Sequence, residues 1–277
     1  MITAYHRPRS VEEALHLLAW KSPTSVPMGG GTYLATLAGE DVEVVDLQSV
    51  GLNRIELRHN ELDLGAAATL QEVHDHDEAP HALKTAIEHE APLNLRNMAT
   101  VAGTLVVADG RSGFTTVLLA LDAQMRILRA KAAPLRAGKA GRTVSTRTDA
   151  AAGAESYSMH LGDFLPRRER GPSGLIATIV IPLQAKVAFE YIARTPSDWP
   201  LICAALAVWP SGRVRLTLSG FGQTPLLAMD GTGTDGTEAA ARNAFHEASD
   251  TWASAEYRSA MAGVLANRCM ARLESLP

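Results

Sequence analysis

Between Ser10 and Ala123, helix starts and short extended runs follow one another so closely that neither a helical bundle nor an all-β sandwich accommodates the chain. Ser10-Val-Glu-Glu13 has the form of a capping box, and it opens a helix with Val11, Ala14, Leu15 and Leu18 at helical spacing before Pro23. An extended piece from Ser25 to Met28 runs into Gly29-Gly30-Gly31-Thr32, and a short helical pattern from Tyr33 to Leu37 stops at Gly39. Val42, Val44, Val45 and Leu47 predict a strand, while Ile55/Leu57 and Leu62/Leu64 on either side of His59-Asn60 predict a hairpin. Thr69-Leu-Gln-Glu72 repeats the capping box and starts a helical region to about Glu90, broken near Pro80. Pro92 to Gly113 has little periodicity and reads as a loop, Phe114 to Ala123 as a buried helix, and Met125 to Leu128 as a strand.

From Lys131 to Glu155 the composition turns to Ala, Gly, Arg, Thr and Ser, which bury little, so this stretch is predicted to be a mobile excursion. Leu175 to Ile181 is a strand ended by Pro182. Beyond it Val187 to Ala193, Leu201 to Val208 and Val214 to Leu218 read as three strands, and Thr237 to Glu247 and Ser254 to Leu273 as Ala-rich helices. The fold class is therefore α+β, with a domain boundary near residues 177 and 178. A length of 277 residues is comfortable for two such units.

Charge and cysteine usage remove several function classes. Twenty-six basic against 30 acidic residues give a net charge of -4 with no basic cluster beyond Arg167, Arg168 and Arg170, which argues against a nucleic-acid partner. The longest apolar run, Leu201 to Trp209, is too short for a membrane span, and the N-terminus lacks the apolar centre of a secretory signal, so a cytoplasmic location is expected. Cys203 and Cys269 are the only cysteines and build neither a disulfide framework nor a thiolate-held cluster.

Several spellings suggest sites. Gly231-Thr-Gly233-Thr-Asp-Gly236 fits a dinucleotide fingerprint, but the forty or so residues after it read as helix and supply no following strand, so it is read as a surface turn. His74, Glu78 and His81 share one face if their segment is a single helix, yet a solvated charged helix end accounts for them better than a metal site. No nucleophile elbow is present, and Gly138-Lys139-Ala140 is not a phosphate loop, so no catalytic residue and no metal ligand is assigned. More informative are two glycine-bearing turns, Met28-Gly29-Gly30-Gly31-Thr32-Tyr33-Leu34 and Thr100-Val101-Ala102-Gly103-Thr104. Glycine lets a main chain approach an anion, and a helix start adds its unpaired N–H groups.

In this order, the chain resembles the FAD-binding medium subunit of the molybdenum hydroxylases, the family of carbon monoxide dehydrogenase, xanthine dehydrogenase and aldehyde oxidoreductases. The resemblance runs through Gly29-Gly-Gly-Thr32, Asp46-Leu, Gly65-Ala-Ala-Ala-Thr69, Leu95-Arg-Asn-Met-Ala-Thr100-Val-Ala-Gly-Thr104, Gly162-Asp-Phe164, Ile179-Val-Ile-Pro182, Arg194 with Asp198, and Ser254-Ala-Glu-Tyr-Arg258 with Leu265-Ala-Asn-Arg268. It implies a two-part FAD-binding domain over residues 1–177 and a small three-stranded sheet with helices over 178–277. The two glycine turns would clasp the FAD diphosphate, Asp109 and Tyr191 would lie along the cofactor, and Trp199, next to Asp198, would cover the flavin ring. It further implies an oxidoreductase subunit passing electrons from iron–sulfur clusters through FAD to an external acceptor. The 2Fe-2S clusters and the molybdenum cofactor would sit on an iron–sulfur subunit and a molybdenum subunit, in a dimer of heterotrimers.

Departures from that pattern fall in the site itself. The family's Thr-Ile-Gly-Gly-Asn is Thr100-Val-Ala102-Gly103-Thr104 here, its Ser-Pro-x-Ser-Asp is Asp109-Gly-Arg111-Ser112-Gly113, and a lysine common in the family is Tyr191. These changes make a flavin-poor assembly subunit the alternative expectation.

Overall fold

The structure is a computed structural model that describes residues 1–19, 24–34, 41–130, 154–170, 174–195 and 198–275. All of the Lys131 to Glu155 stretch but Ala154 and Glu155, and most of the Tyr33 to Leu37 pattern, lie outside them.

The N-terminal layer is a parallel three-stranded sheet. Strands β1 (Ile2–His6) and β2 (Thr24–Met28) flank the central β3 (Val42–Asp46). Helix α1 (Val11–Leu18) is capped by the Ser10 hydroxyl and buries Ala14 and Leu15 against Val45 and Leu47. Strand β1 is not marked in the sequence because most of its residues are exposed and little apolar alternation is required of it.

A second, antiparallel sheet has the order β4-β5-β8-β6-β7, from β4 (Ile55–Arg58), β5 (Glu61–Gly65), β6 (Gln124–Ala130), β7 (Ala154–His160) and β8 (Leu175–Pro182). The β4–β5 hairpin turns through His59 at a φ of 56°. The whole of β8 lies in this sheet and so runs past residue 178. Its apolar face is covered by α2 (Leu70–Asp75), α3 (His81–Glu90), α4 (Leu93–Arg96), α5 (Val101–Val107) and α6 (Gly113–Ala120), with the short α7 (Leu161–Phe164) at one end. The expected loop from Pro92 to Gly113 thus contains two helices. Val-Ala-Gly-Thr-Leu-Val-Val is a poor helix former by composition, and the Thr100 cap together with tertiary hydrogen bonds overrides that preference.

The C-terminal sheet has four strands, in the order β12-β11-β10-β9, where three were expected. These are β9 (Lys186–Ile192), β10 (Ile202–Val208), β11 (Arg213–Ser219) and β12 (Leu226–Thr232). β12 escapes the pattern because it is an edge strand with Leu226 and Leu227 exposed. One face of this sheet carries α8 (Thr237–Ala244) and α9 (Ala255–Glu274), as the sequence predicts. The other face gives Phe189, Cys203, Ala205 and Ala207 to the core of the preceding unit.

Helix α6 joins the two units, and all eight of its residues are buried. Two of its carbonyls are met from β11: Thr217 Oγ1 donates to the mid-helix Thr116 carbonyl at 2.9 Å and Arg215 Nη2 to that of Leu119, in the last turn, at 3.1 Å. Just beyond, Asp122 accepts from Arg213 at 2.9 Å and pairs with Arg215 at 3.0 Å, and Asp230 on β12 takes the remaining guanidinium bonds at 2.8 Å.

Arg258 on α9 is fully buried and donates to the carbonyls of Ala248 and Ala253 and to Asp250 at 2.8 Å. Burial pushes the Asp250 carboxyl up, but Arg258 and the N–H groups of Trp252 and Ala253 outweigh it and hold the group at about 2. Arg258→Leu is expected to cost about 3 kcal/mol, because it strips one buried partner from a charged network. Urea unfolding of the variant against the wild type measures this.

Candidate functional site

The first glycine turn begins where β2 leaves the sheet. Met28 pairs with Asp46, and its carbonyl accepts from the Leu47 N–H at 2.9 Å. The chain then turns through Gly31, whose φ of 71° favours glycine. Among the described residues, the backbone N–H groups of Gly29, Gly30, Gly31 and Thr32 find no protein acceptor, and all four residues are partly exposed. Successive unpaired N–H groups at the carboxyl end of a parallel sheet form a concave donor surface for an anion.

The second turn packs directly against the first. A Cβ on Gly29 would strike the Thr100 side chain, and one on Gly30 would strike the Met98 carbonyl. Those two glycines are therefore required by the close approach of the turns. Thr100 caps α5 by accepting from the Gly103 N–H at 3.3 Å. The N–H groups of Val101 and Ala102 donate to the carbonyls of Ala68 and Ala66 at 2.9 and 3.0 Å, and that of Thr104 to the Thr100 carbonyl at 2.8 Å. With these donors spent, the second turn acts as a buttress and offers α5's N-terminal dipole, while the first offers the N–H cradle. Nothing in the spelling of the second turn distinguishes these two roles. They depend on Ala66 and Ala68, more than thirty residues upstream.

Asp109 lies two residues past the end of α5, a helix about 10 Å long. The outer face of α5 exposes Gly103, Val106 and Val107. Asp109 accepts from the Arg111 N–H at 2.8 Å. Arg111 pairs with Asp250 at 3.1 Å and lies 4.6 Å from the centre of the Trp252 ring, which Arg194 also approaches, at 5.4 Å. Tyr191 packs on His89 at 3.8 Å between ring centroids. Trp199 is 59% exposed. Sequence reasoning passed over Trp252, whose contact with Arg111 crosses 141 positions of the chain.

Glu90, also passed over, ends α3. Its carboxylate accepts from the Ser112 hydroxyl at 2.9 Å and the Phe114 N–H at 3.1 Å, at the start of buried α6. The carboxyl end is enclosed although the residue keeps part of its surface in solvent. Burial pushes it up to about 7 against those hydrogen bonds, and nearby Asp109 adds to the rise.

The remaining candidates come apart. α2 ends at Asp75 and α3 starts at His81, so His74, Glu78 and His81 share no helix face; His74 pairs with Asp75 and Glu88 at 3.0 and 2.9 Å. Among the described residues no cluster of His, Cys, Asp and Glu could hold a metal ion, and no helix is long and apolar enough to cross a membrane. Gly231 lies in edge strand β12, and Gly233 and Gly236 occupy left-handed turn positions with open space around them.

A parallel sheet whose edge loop presents unpaired N–H groups, backed by a second turn at a helix start, is a domain suited to an anionic nucleotide. Residues 1–137 match the family model described as the FAD binding domain in molybdopterin dehydrogenase. The sequence is 33% identical over 127 residues to the uncharacterized protein YgfM of Escherichia coli (strain K12), a match that spans 45% of this chain and about half (49%) of that relative. It is 26% identical to the carbon monoxide dehydrogenase medium chain of Afipia carboxidovorans, over 98% of this chain and 96% of that one. The fold matches a chain of the crystal structure of Cu,Mo-CO dehydrogenase in its cyanide-inactivated form with a TM-score of 0.76 at 23% identity, covering 99% of this chain and 98% of that one.

Because the folded-state pKa of Glu90 lies above its unfolded value, the folded state binds the extra proton. Stability is therefore expected to fall by up to about 3 kcal/mol as pH rises from about 4.5 to about 7. Glu90→Gln, which mimics the protonated form, is expected to flatten that slope and to be the more stable protein at pH 8, as read by thermal unfolding at a series of pH values.

Proposed function

We propose that this chain is the FAD-carrying, electron-transferring subunit of a multi-chain molybdenum hydroxylase. The observation that carries the reading is the row of unpaired N–H groups from Gly29 to Thr32, held open by the interlocked second turn. These groups would receive the diphosphate, and Thr100 at the start of α5 would add the positive end of a helix dipole. Asp109, Tyr191 and Trp199 would line the rest of the cofactor, with residues 178–277 closing the flavin end. FAD supplies the redox chemistry, accepting electrons from reduced centres and returning them to an external acceptor. The chain itself needs only to bind, orient and shield.

The two cysteines are both buried, one in each main core, and leave any iron–sulfur centre to another chain. The partners in this reading are an iron–sulfur subunit with 2Fe-2S clusters and a subunit with the molybdenum cofactor, assembled as a dimer of heterotrimers in the cytoplasm. The likeness to a carbon monoxide dehydrogenase medium chain over nearly the full length supports this arrangement. A flavin-free assembly subunit is the second reading, and the altered second turn with Ala102 and Thr104 is what favours it.

Purification of the native assembly separates the two. The first reading expects a yellow complex with flavin absorbance, releasing FAD on denaturation, and co-eluting iron–sulfur and molybdenum chains; a colourless complex establishes the second. Gly30→Val is expected to abolish FAD retention, because its side chain would collide with the Met98 carbonyl and part the two turns, while α9 and its sheet stay folded. Flavin content per chain, with far-ultraviolet circular dichroism as the folding control, measures the effect.

A further inference from the structure

The end of β3 ties the first glycine turn to its sheet through a buried carboxylate. Asp46, the last residue of β3, is 1% exposed. Its Oδ2 accepts from Tyr5 Oη at 2.7 Å and lies 3.3 Å from Arg7 Nε, and its Oδ1 accepts from the Gln48 N–H at 2.9 Å. A carboxylate so enclosed is tolerated because donors meet both oxygens. Two of those donors come from β1 and the residue just after it, so the ends of two strands are locked together.

The bond from the Gln48 N–H is an Asx turn, and it sets the direction in which Gln48 leaves the sheet. The Gln48 side chain reaches across to the first glycine turn, with Nε2 at 3.5 Å from the Gly29 carbonyl oxygen. One residue earlier, the Leu47 N–H donates to the Met28 carbonyl at 2.9 Å. In a trans peptide the carbonyl and the N–H that follows it point in opposite directions. Drawing the Met28 and Gly29 carbonyls toward residues 47 and 48 therefore turns the N–H groups of Gly29 and Gly30 the other way. Two adjacent N–H groups aimed to one side break the alternation of a strand and begin an anion cradle.

We propose that Asp46 and Gln48, with Tyr5 in support, are positioning residues that set the peptide planes of Gly29 and Gly30 and thereby the affinity for a nucleotide diphosphate. None of the three side chains needs to touch the ligand. The inference rests on the reading of this chain as an FAD carrier and names the residues that give its cradle its shape.

The test titrates the full-length chain, freed of flavin, with FAD and separately with ADP, which carries the diphosphate without the flavin ring. Gln48 is exposed, so Gln48→Ala should leave the melting temperature of the flavin-free chain unchanged. It is expected to weaken FAD and ADP by the same factor, about three- to tenfold, the worth of one hydrogen bond. Gln48→Glu, which sets an acceptor against the Gly29 carbonyl, is expected to weaken both further. Tyr5→Phe, which removes a donor from Asp46 without reaching the turn, should weaken both by a smaller equal factor. Unchanged affinities in Gln48→Ala overturn the proposal. So does a loss confined to FAD, which would place the effect at the flavin end, or a loss matched by a fall in melting temperature. A wild-type chain that takes up neither FAD nor ADP brings down the carrier reading itself, and the positioning role with it.

Discussion

The contact between Gly29-Gly30 and Met98-Ala99-Thr100 decides what the rest of the site can do. No side chain larger than hydrogen fits at either glycine without driving the turns apart, since the Thr100 side chain and the Met98 carbonyl already occupy the space. Met98 to Thr100 cannot retreat easily. The Leu70 N–H donates to the Ala99 carbonyl at 2.9 Å, and Thr100 bridges to Thr69, whose own backbone is held in a capping box with Glu72. The second turn is thus anchored on the antiparallel unit and the first on the parallel sheet, and their contact fixes one unit against the other. Two turns interlocked in this way hold each other's backbone in place, and a binding surface built on them would incur little ordering cost.

That division of labour changes the meaning of the departures in the second turn. A glycine replaced by Ala102 looks, on spelling, like a lost backbone approach. In the fold Ala102 is an early helical residue whose N–H is already bonded to the Ala66 carbonyl, so no donor is lost. At such a position alanine is preferred to glycine by roughly 0.5–1 kcal/mol. Thr104 is buried, and its N–H closes the first turn of the same helix. Ala102 stiffens the buttress, and both substitutions leave the unpaired donors on the other turn untouched. The case for a flavin-free subunit is weaker for that reason.

The fold class, both helical regions on either side of Pro80, the β4–β5 hairpin and the two C-terminal helices were legible because each rests on local signals: capping boxes, alternation, turn residues. What was not legible is set by partners distant in sequence. β1, β7 and β12 are edge strands with much of their surface exposed, so pairing forms them and burial writes no pattern into them. α5 forms from weak helix residues because Thr100 caps it and the carbonyls of Ala66 and Ala68 hold its start. At the two glycine turns, which N–H groups are already spent was not readable, since that depends on acceptors such as Ala66 and Ala68 distant in sequence. Glu90 was invisible for the same reason: a carboxylate at the end of an ordinary helix becomes notable only when Ser112 and Phe114 close over it.

Glycine spelling, finally, says less than glycine environment. Gly231, Gly233 and Gly236 match a nucleotide fingerprint letter for letter, yet an added Cβ at Gly233 or Gly236 would meet nothing within 4 Å and at Gly231 only the end of the Met229 side chain at 3.9 Å. Their positive φ values at 233 and 236 serve a turn between an edge strand and α8. Gly29 and Gly30 have no positive φ to explain them and are instead pressed against another piece of main chain. A glycine kept for conformation tolerates asparagine at modest cost, whereas one kept for close approach tolerates no side chain at all. The same residue type therefore marks an open surface turn in one part of this protein and a close approach of two main-chain segments in another, and only the neighbouring backbone tells them apart.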